Sequence, residues 1–96
     1  MKNLDELKKV IREHKPELES EYQVKEIGIF GSYARGDQNP DSDLDILVEF
    51  SAPVGFKFIH LADFLEQILG LKVDITTPDA IKPNRRKYIE QDLIYV

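Results

Sequence analysis

Along the first fifteen residues, Leu4, Leu7, Val10 and Ile11 recur at helical spacing among charged positions, a pattern that predicts an amphipathic helix stopping before Pro16. A helix with one oily stripe is suited to covering a sheet. The polar stretch PELESEY follows. The run VKEIGIF then alternates before becoming continuously apolar, which predicts a first strand over 24–30, ended by Gly31. SYARG reads as one helical turn with Ser32 near its start and Gly36 as terminator, and DQNPDS is a cluster of turn formers. From Asp43 to Phe50 strict alternation returns. Leu44, Ile46, Val48 and Phe50 share one face of this second strand, and Asp43, Asp45, Leu47 and Glu49 share the other.

After the loop SAPVG, residues Phe58, Leu61, Leu65, Ile68 and Leu69 form a broad helical stripe, with Gly70 as its C-terminal cap. LKVDITT is a short strand interrupted by Asp74 and closed by Pro78. Pro83 suits the start of a last helix over NRRKYIEQ, and the apolar end LIYV adds a short strand or packs on the sheet. No repeat, low-complexity segment or linker interrupts the chain. The order helix, strand, strand, helix, strand, helix predicts an α/β or α+β sheet covered by helices, in one domain spanning residues 1–96.

Composition sharpens one question. A chain of 96 residues, 42% hydrophobic and 32% charged, lies near the lower limit for burying a core without staples. Its stability is expected to be only about 5–10 kcal/mol, so clustered carboxylates on a strand need compensation. The net charge of −5 and pI near 5.0 argue against a general nucleic-acid binder, so no direct nucleic-acid binding is expected. An anionic substrate would then require a mediating cation. The absence of cysteine removes disulfides, thiolate metal sites and thiol catalysis. The N-terminus interleaves charged and apolar residues without a signal-peptide core, and no apolar run approaches the roughly 20 residues of a membrane span. A soluble cytoplasmic protein with no membrane association is expected.

Side chains two residues apart on a strand point the same way, roughly 7 Å apart at their bases, so Asp43 and Asp45 can converge on hard cations. Asp74, from another strand, can complete the set. Two magnesium ions about 4 Å apart serve phosphoryl and nucleotidyl transfer by stabilising the attacking and the leaving oxygens. They also neutralise both the carboxylates and an incoming triphosphate. The corner at Gly31 and Ser32 supplies a backbone that approaches phosphate closely, free amides and a hydroxyl; Arg35, one turn on, can reach the same anion, as can a Lys or Arg of the NRRK segment. Singly, each feature has an ordinary reading: a solvated strand face for the aspartates, a loop cap for Asp74, a salt bridge to Asp37 or Asp41 for Arg35. His14 and His60 read as surface or packing residues, Tyr33 as a residue packing at the turn, and Arg85, Arg86 and Lys87 as a solvated helix face or partner contact.

Together, GSYARG, a five-residue spacer and SDLDILVEF resemble the signature of the DNA polymerase β-type nucleotidyltransferase superfamily, a glycine-serine corner followed by Asp-x-Asp. The resemblance is to its minimal nucleotidyltransferase (MNT) branch, the small antitoxins encoded beside HEPN-domain toxins. LGLKVDITTPDAI and IEQDLIYV also resemble that branch, so the similarity covers essentially the whole chain.

The resemblance implies a small mixed β-sheet flanked by helices. It implies that Gly31 and Ser32 hold the triphosphate of ATP, that Asp43 and Asp45 ligate two magnesium ions, and that Asp74 helps bind the metal activating the attacking hydroxyl and assists its deprotonation. Arg35 matches the motif arginine. Larger superfamily members add a domain that grips the acceptor, whereas this chain ends soon after Asp74, so acceptor positioning, worth several kcal/mol of barrier, is expected from a partner. The acceptor implied is a tyrosine of a HEPN ribonuclease toxin, silenced by AMP from ATP. A non-catalytic antitoxin that neutralises its toxin by binding is the alternative; transfer to a small hydroxylated molecule such as an aminoglycoside is a third reading.

Overall fold

The structure, a computed structural model, describes residues 3–96, so the first two positions of the expected domain lie outside the described residues. Helix α1, Leu4–Glu13, starts where the Asn3 side chain accepts a hydrogen bond from the Glu6 backbone N–H at 2.9 Å. Its stripe buries Leu7 and Ile11. The polar stretch after it, absent from the predicted order of elements, forms a second helix, α2, Lys15–Tyr22. Pro16 sits in the first turn, where its missing N–H is not needed, and Leu18 alone anchors the helix in the core. One buried residue in eight leaves no stripe to read. Gln23, in the left-handed region at φ 53°, ends α2 and turns the chain into the sheet.

The remaining elements are β1, Val24–Phe30; the single turn α3, Ser32–Arg35; β2, Leu44–Phe50; α4, Lys57–Leu69; β3, Val73–Thr76; a 3-10 turn at Pro78–Ala80; α5, Pro83–Asp92; and β4, Ile94–Tyr95. The sheet order is β3-β2-β1-β4. β1 runs antiparallel to β2 and to β4, while β2 and β3 are parallel, so the sheet is mixed. Parallel neighbours need a crossover, and α4 supplies it.

Register decides which face is core. Ile27 opposes Val48, Ile29 opposes Ile46, and Ile46 opposes Ile75, and these side chains meet Leu7, Ile11, Leu18, Leu61, Leu65 and Leu69 from α1, α2 and α4. One layer of helices therefore covers one face. On the other face Gly28 opposes Leu47, Phe30 opposes Asp45, and Asp45 opposes Asp74. A Cβ on Gly28 would come within 2.7 Å of Leu93 Cδ1 and 3.2 Å of the Ile94 carbonyl oxygen, so its bare backbone admits the chain end beside β1. Helix α5 buries no residue in the core. No helix among the described residues is long and apolar enough to cross a membrane.

Candidate active site

The site begins where β1 runs out. Gly31 has φ 75° and ψ −151°, a conformation open almost only to glycine. It also lies against Asp45: a Cβ here would fall on the Asp45 carboxylate, with Cγ at 3.0 Å and Cβ at 3.3 Å. Glycine is thus required by backbone conformation and by space together. The chain then makes its one turn of α3, closed by bonds from Arg35 N–H to the Gly31 carbonyl (3.0 Å) and from Gly36 N–H to the Ser32 carbonyl (2.9 Å). Tyr33, 3% exposed, pins this turn to the core, leaving Ser32 half-buried beside the sheet face.

The segment from Asp37 to Ser42 is a loop held by two of its own side chains. Asn39 Oδ1 accepts from the Asp41 N–H at 2.8 Å, and Ser42 Oγ accepts from the Asn39 N–H at 3.0 Å. It delivers Asp43, exposed, one residue ahead of β2. Asp45 is half-buried, and Asp74 stands directly beside it on β3. Burial pushes the Asp45 carboxyl above its ordinary value of 3.8; the charges of Asp74 and then Asp43 add to this, while Arg35 and Arg85 act in the opposite direction. Among the described residues none of the three carboxylates has an ion-pair partner.

A cavity of about 520 Å³ opens onto this face. Gly31, Ser32, Arg35, Asp45 and Asp74 line one side, and the 3-10 turn and α5 form the other with Ile81, Lys82, Arg85, Tyr88 and Asp92 among their residues. Five of the six residues singled out in the sequence are thereby brought together. Asp43 is not in the cavity wall and reaches the pair through its charge. Arg35 does form a salt bridge to Asp37, Nε donating to Oδ2 at 3.1 Å, but its second partner is Asp92, reached by Nη1 at 2.8 Å. No periodic pattern links residues 57 positions apart. Arg85, from the basic NRRK segment, is on the cavity wall, whereas nothing in the pattern singles out Lys82 or Tyr88 beyond the lack of an apolar stripe in α5, which signals a helix serving something other than the core. His14 packs as expected, its ring edge-on to Phe64 and its Nδ1 donating to the Val10 carbonyl.

The donor chemistry fits a hard divalent cation. Asp45 and Asp74 are matched in register, all-oxygen, and carry repulsion that no neighbouring cation cancels by direct pairing. Among the described residues no group of three or more His, Cys, Asp or Glu side chains stands together as a ready metal cluster, so Asp43 would have to close on the pair as a metal enters.

A mixed sheet with a glycine-serine corner facing carboxylates on adjacent strands suits phosphate and divalent-cation chemistry. The chain belongs to the nucleotidyltransferase domain family, whose model matches residues 11–96. It is 42% identical over 97 residues to the protein adenylyltransferase MntA of Thermococcus cleftensis, covering all of this chain and 98% of that protein. It is 52% identical over 98 residues to a candidate protein adenylyltransferase of Methanocaldococcus jannaschii, MJ0128, with both chains fully covered. Among solved structures it matches a candidate minimal nucleotidyltransferase with TM-score 0.79 and 32% identity, over 97% of this chain and 95% of that one. It shares the fold of a chain in a toxin-antitoxin complex with AMP-PNP, with TM-score 0.66 and 23% identity, over 95% of this chain and 69% of that one.

Proposed function

We propose that this chain is an antitoxin protein adenylyltransferase that acts in the cytoplasm and transfers AMP from ATP to a tyrosine of a cognate HEPN ribonuclease toxin. Asp43, Asp45 and Asp74 would hold two magnesium ions. The observation that carries the reading is Asp45 and Asp74 side by side in register, against the only residue type that Gly31's position admits. The similarity to MntA supports a protein as acceptor, since that relative bears the name of a protein adenylyltransferase.

In the reaction, the acceptor hydroxyl oxygen bonds to the α-phosphorus, the bond from that phosphorus to the bridging oxygen breaks, and pyrophosphate leaves. Magnesium, when bound, supplies the positive charge that stabilises the attacking and leaving oxygens. Asp74 accepts the hydroxyl proton. Ser32 and the backbone amides following Gly31 bind the triphosphate, because the first N–H groups of a helical turn have no acceptor within it. Arg35 adds a cation at the same corner, oriented by Asp37 and Asp92.

The test is the intact mass of the HEPN protein after incubation with this chain, ATP and magnesium, beside an Asp43→Asn/Asp45→Asn variant that still binds it. The expected result is a gain of one or more adenylyl groups that the variant does not produce. Tight binding and neutralisation by both, with no mass gain, would replace the transferase with a steric antitoxin.

A further inference from the structure

Metal and phosphate chemistry uses one side of the cavity, and of the other it engages only Asp92, which orients Arg35, and the charge of Arg85. That second wall is built by the 3-10 turn and α5, and its apolar members are Ala80, Ile81, Tyr88 and Ile89. Helix α5 buries nothing fully in the core, and of its apolar side chains Ile89 is half-buried while Tyr88 is exposed. Tyr88 is the sharpest case. It is 67% exposed, it lines the cavity, and among the described residues its ring stacks on no other, whereas Tyr22 and Phe64 pair, as do Phe50 and Phe58. A large ring left open on the wall of a concave polar site is suited to a flat apolar ligand surface.

Arg85 precedes Tyr88 by three residues, so the two share a face of α5, and both reach the same cavity. The wall thus offers a π-face beside a cation, opposite the corner proposed for the triphosphate. A cavity of about 520 Å³ also lies within the range of small-molecule sites, roughly 300–1,000 Å³, and exceeds what a triphosphate corner alone requires.

Resting on the proposed nucleotide reading, we infer that Tyr88 is the stacking platform for the nucleobase of the donor and that Arg85 flanks it. Stacking on a single ring uses the π-face that every base has and reads no hydrogen-bond pattern. Base discrimination is accordingly shallow: purine triphosphates bind better than pyrimidine triphosphates through their larger face, and ATP is separated only weakly from GTP.

Calorimetric titration of the full chain with magnesium and ATP, GTP, CTP or inorganic tripolyphosphate tests this. Tyr88→Ala is expected to weaken ATP binding roughly tenfold to a hundredfold, the range for loss of one base–aromatic stack. Tyr88→Phe should keep it within about twofold, and tripolyphosphate should bind Tyr88→Ala as it binds the wild type. Since the ring is exposed, both variants should melt with the wild type. Unchanged ATP affinity in Tyr88→Ala, an equal loss for ATP and tripolyphosphate, or a failure of Tyr88→Phe to retain binding would each overturn the stacking role while leaving the proposed function standing. Wild-type protein that binds none of these triphosphates would overturn both.

Discussion

Replacing Gly31 by alanine tests the geometry on which the site depends. Two separate penalties apply. The backbone at φ 75° and ψ −151° is strained for any residue with a Cβ, which costs about 1–3 kcal/mol. The new Cβ would also overlap the Asp45 carboxylate, and displacing a packed group costs about 1–3 kcal/mol more. The sum, roughly 2–6 kcal/mol, is a large share of the about 5–10 kcal/mol expected for so small a domain. In a domain of this size it corresponds to a Tm lowered by at least about 10 °C. Urea unfolding followed by far-UV circular dichroism reads it. The Asp45→Ala background separates the penalties, since removing the carboxylate relieves the overlap and leaves the backbone strain. Gly31→Ala should therefore cost about 1–3 kcal/mol less in that background. An equal loss in both backgrounds would refute the close approach of Gly31 to Asp45, and a loss below about 1 kcal/mol in wild type would refute the strain as well.

Metal-free Asp45→Asn should be more stable than wild type at pH 7, by a small margin because solvent screens a half-exposed group. The folded Asp45 carboxyl binds its proton more tightly than the unfolded one, so wild type loses stability as pH rises from 3.8 through the folded value, and the variant's advantage should vanish in more acidic solution. Melting curves in EDTA from pH 3 to 8 check this; a variant less stable at pH 7 would contradict it. Arg35 and Asp92 should show only weak coupling in a double-mutant cycle by urea unfolding, because the guanidinium is exposed and solvent screens the pair, whereas Arg35→Ala should weaken tripolyphosphate binding measurably. Leu65→Ala should cost about 2–5 kcal/mol by the same unfolding assay, since the side chain is wholly buried between α4 and the sheet.

The parts legible in the sequence are those with a short period. Leu44, Ile46 and Val48 alternate because one face of β2 is core, and the same alternation places Asp45 on the opposite face. The stripe in α4 and its stop at Gly70 were legible for a similar reason: Leu61, Leu65 and Leu69 are four apart and all buried. Helix α2 escaped because Leu18 is its sole core residue and no period can be drawn through one point. Asp45 and Asp74 could be suspected of meeting, but their direct pairing depends on the parallel register of β2 and β3, which no local pattern specifies. The Arg35–Asp92 contact joins α3 to the end of α5 through the tertiary fold. Tyr88 reads as an ordinary surface tyrosine until the cavity is seen to open beside it.

The central claim is that the carboxylates of β2 and β3 direct nucleotidyl transfer to a protein hydroxyl. The most direct measurement follows two labels separately, incubating this chain and its HEPN partner with magnesium and ATP labelled either at the α- or at the γ-phosphorus. The account predicts that the α-label becomes protein-bound, that the γ-label is released in pyrophosphate, and that Asp43→Asn/Asp45→Asn abolishes both. Protein-bound γ-label would mean phosphoryl transfer, and no protein-bound label despite ATP binding and complex formation would mean that the site does not catalyse the proposed reaction.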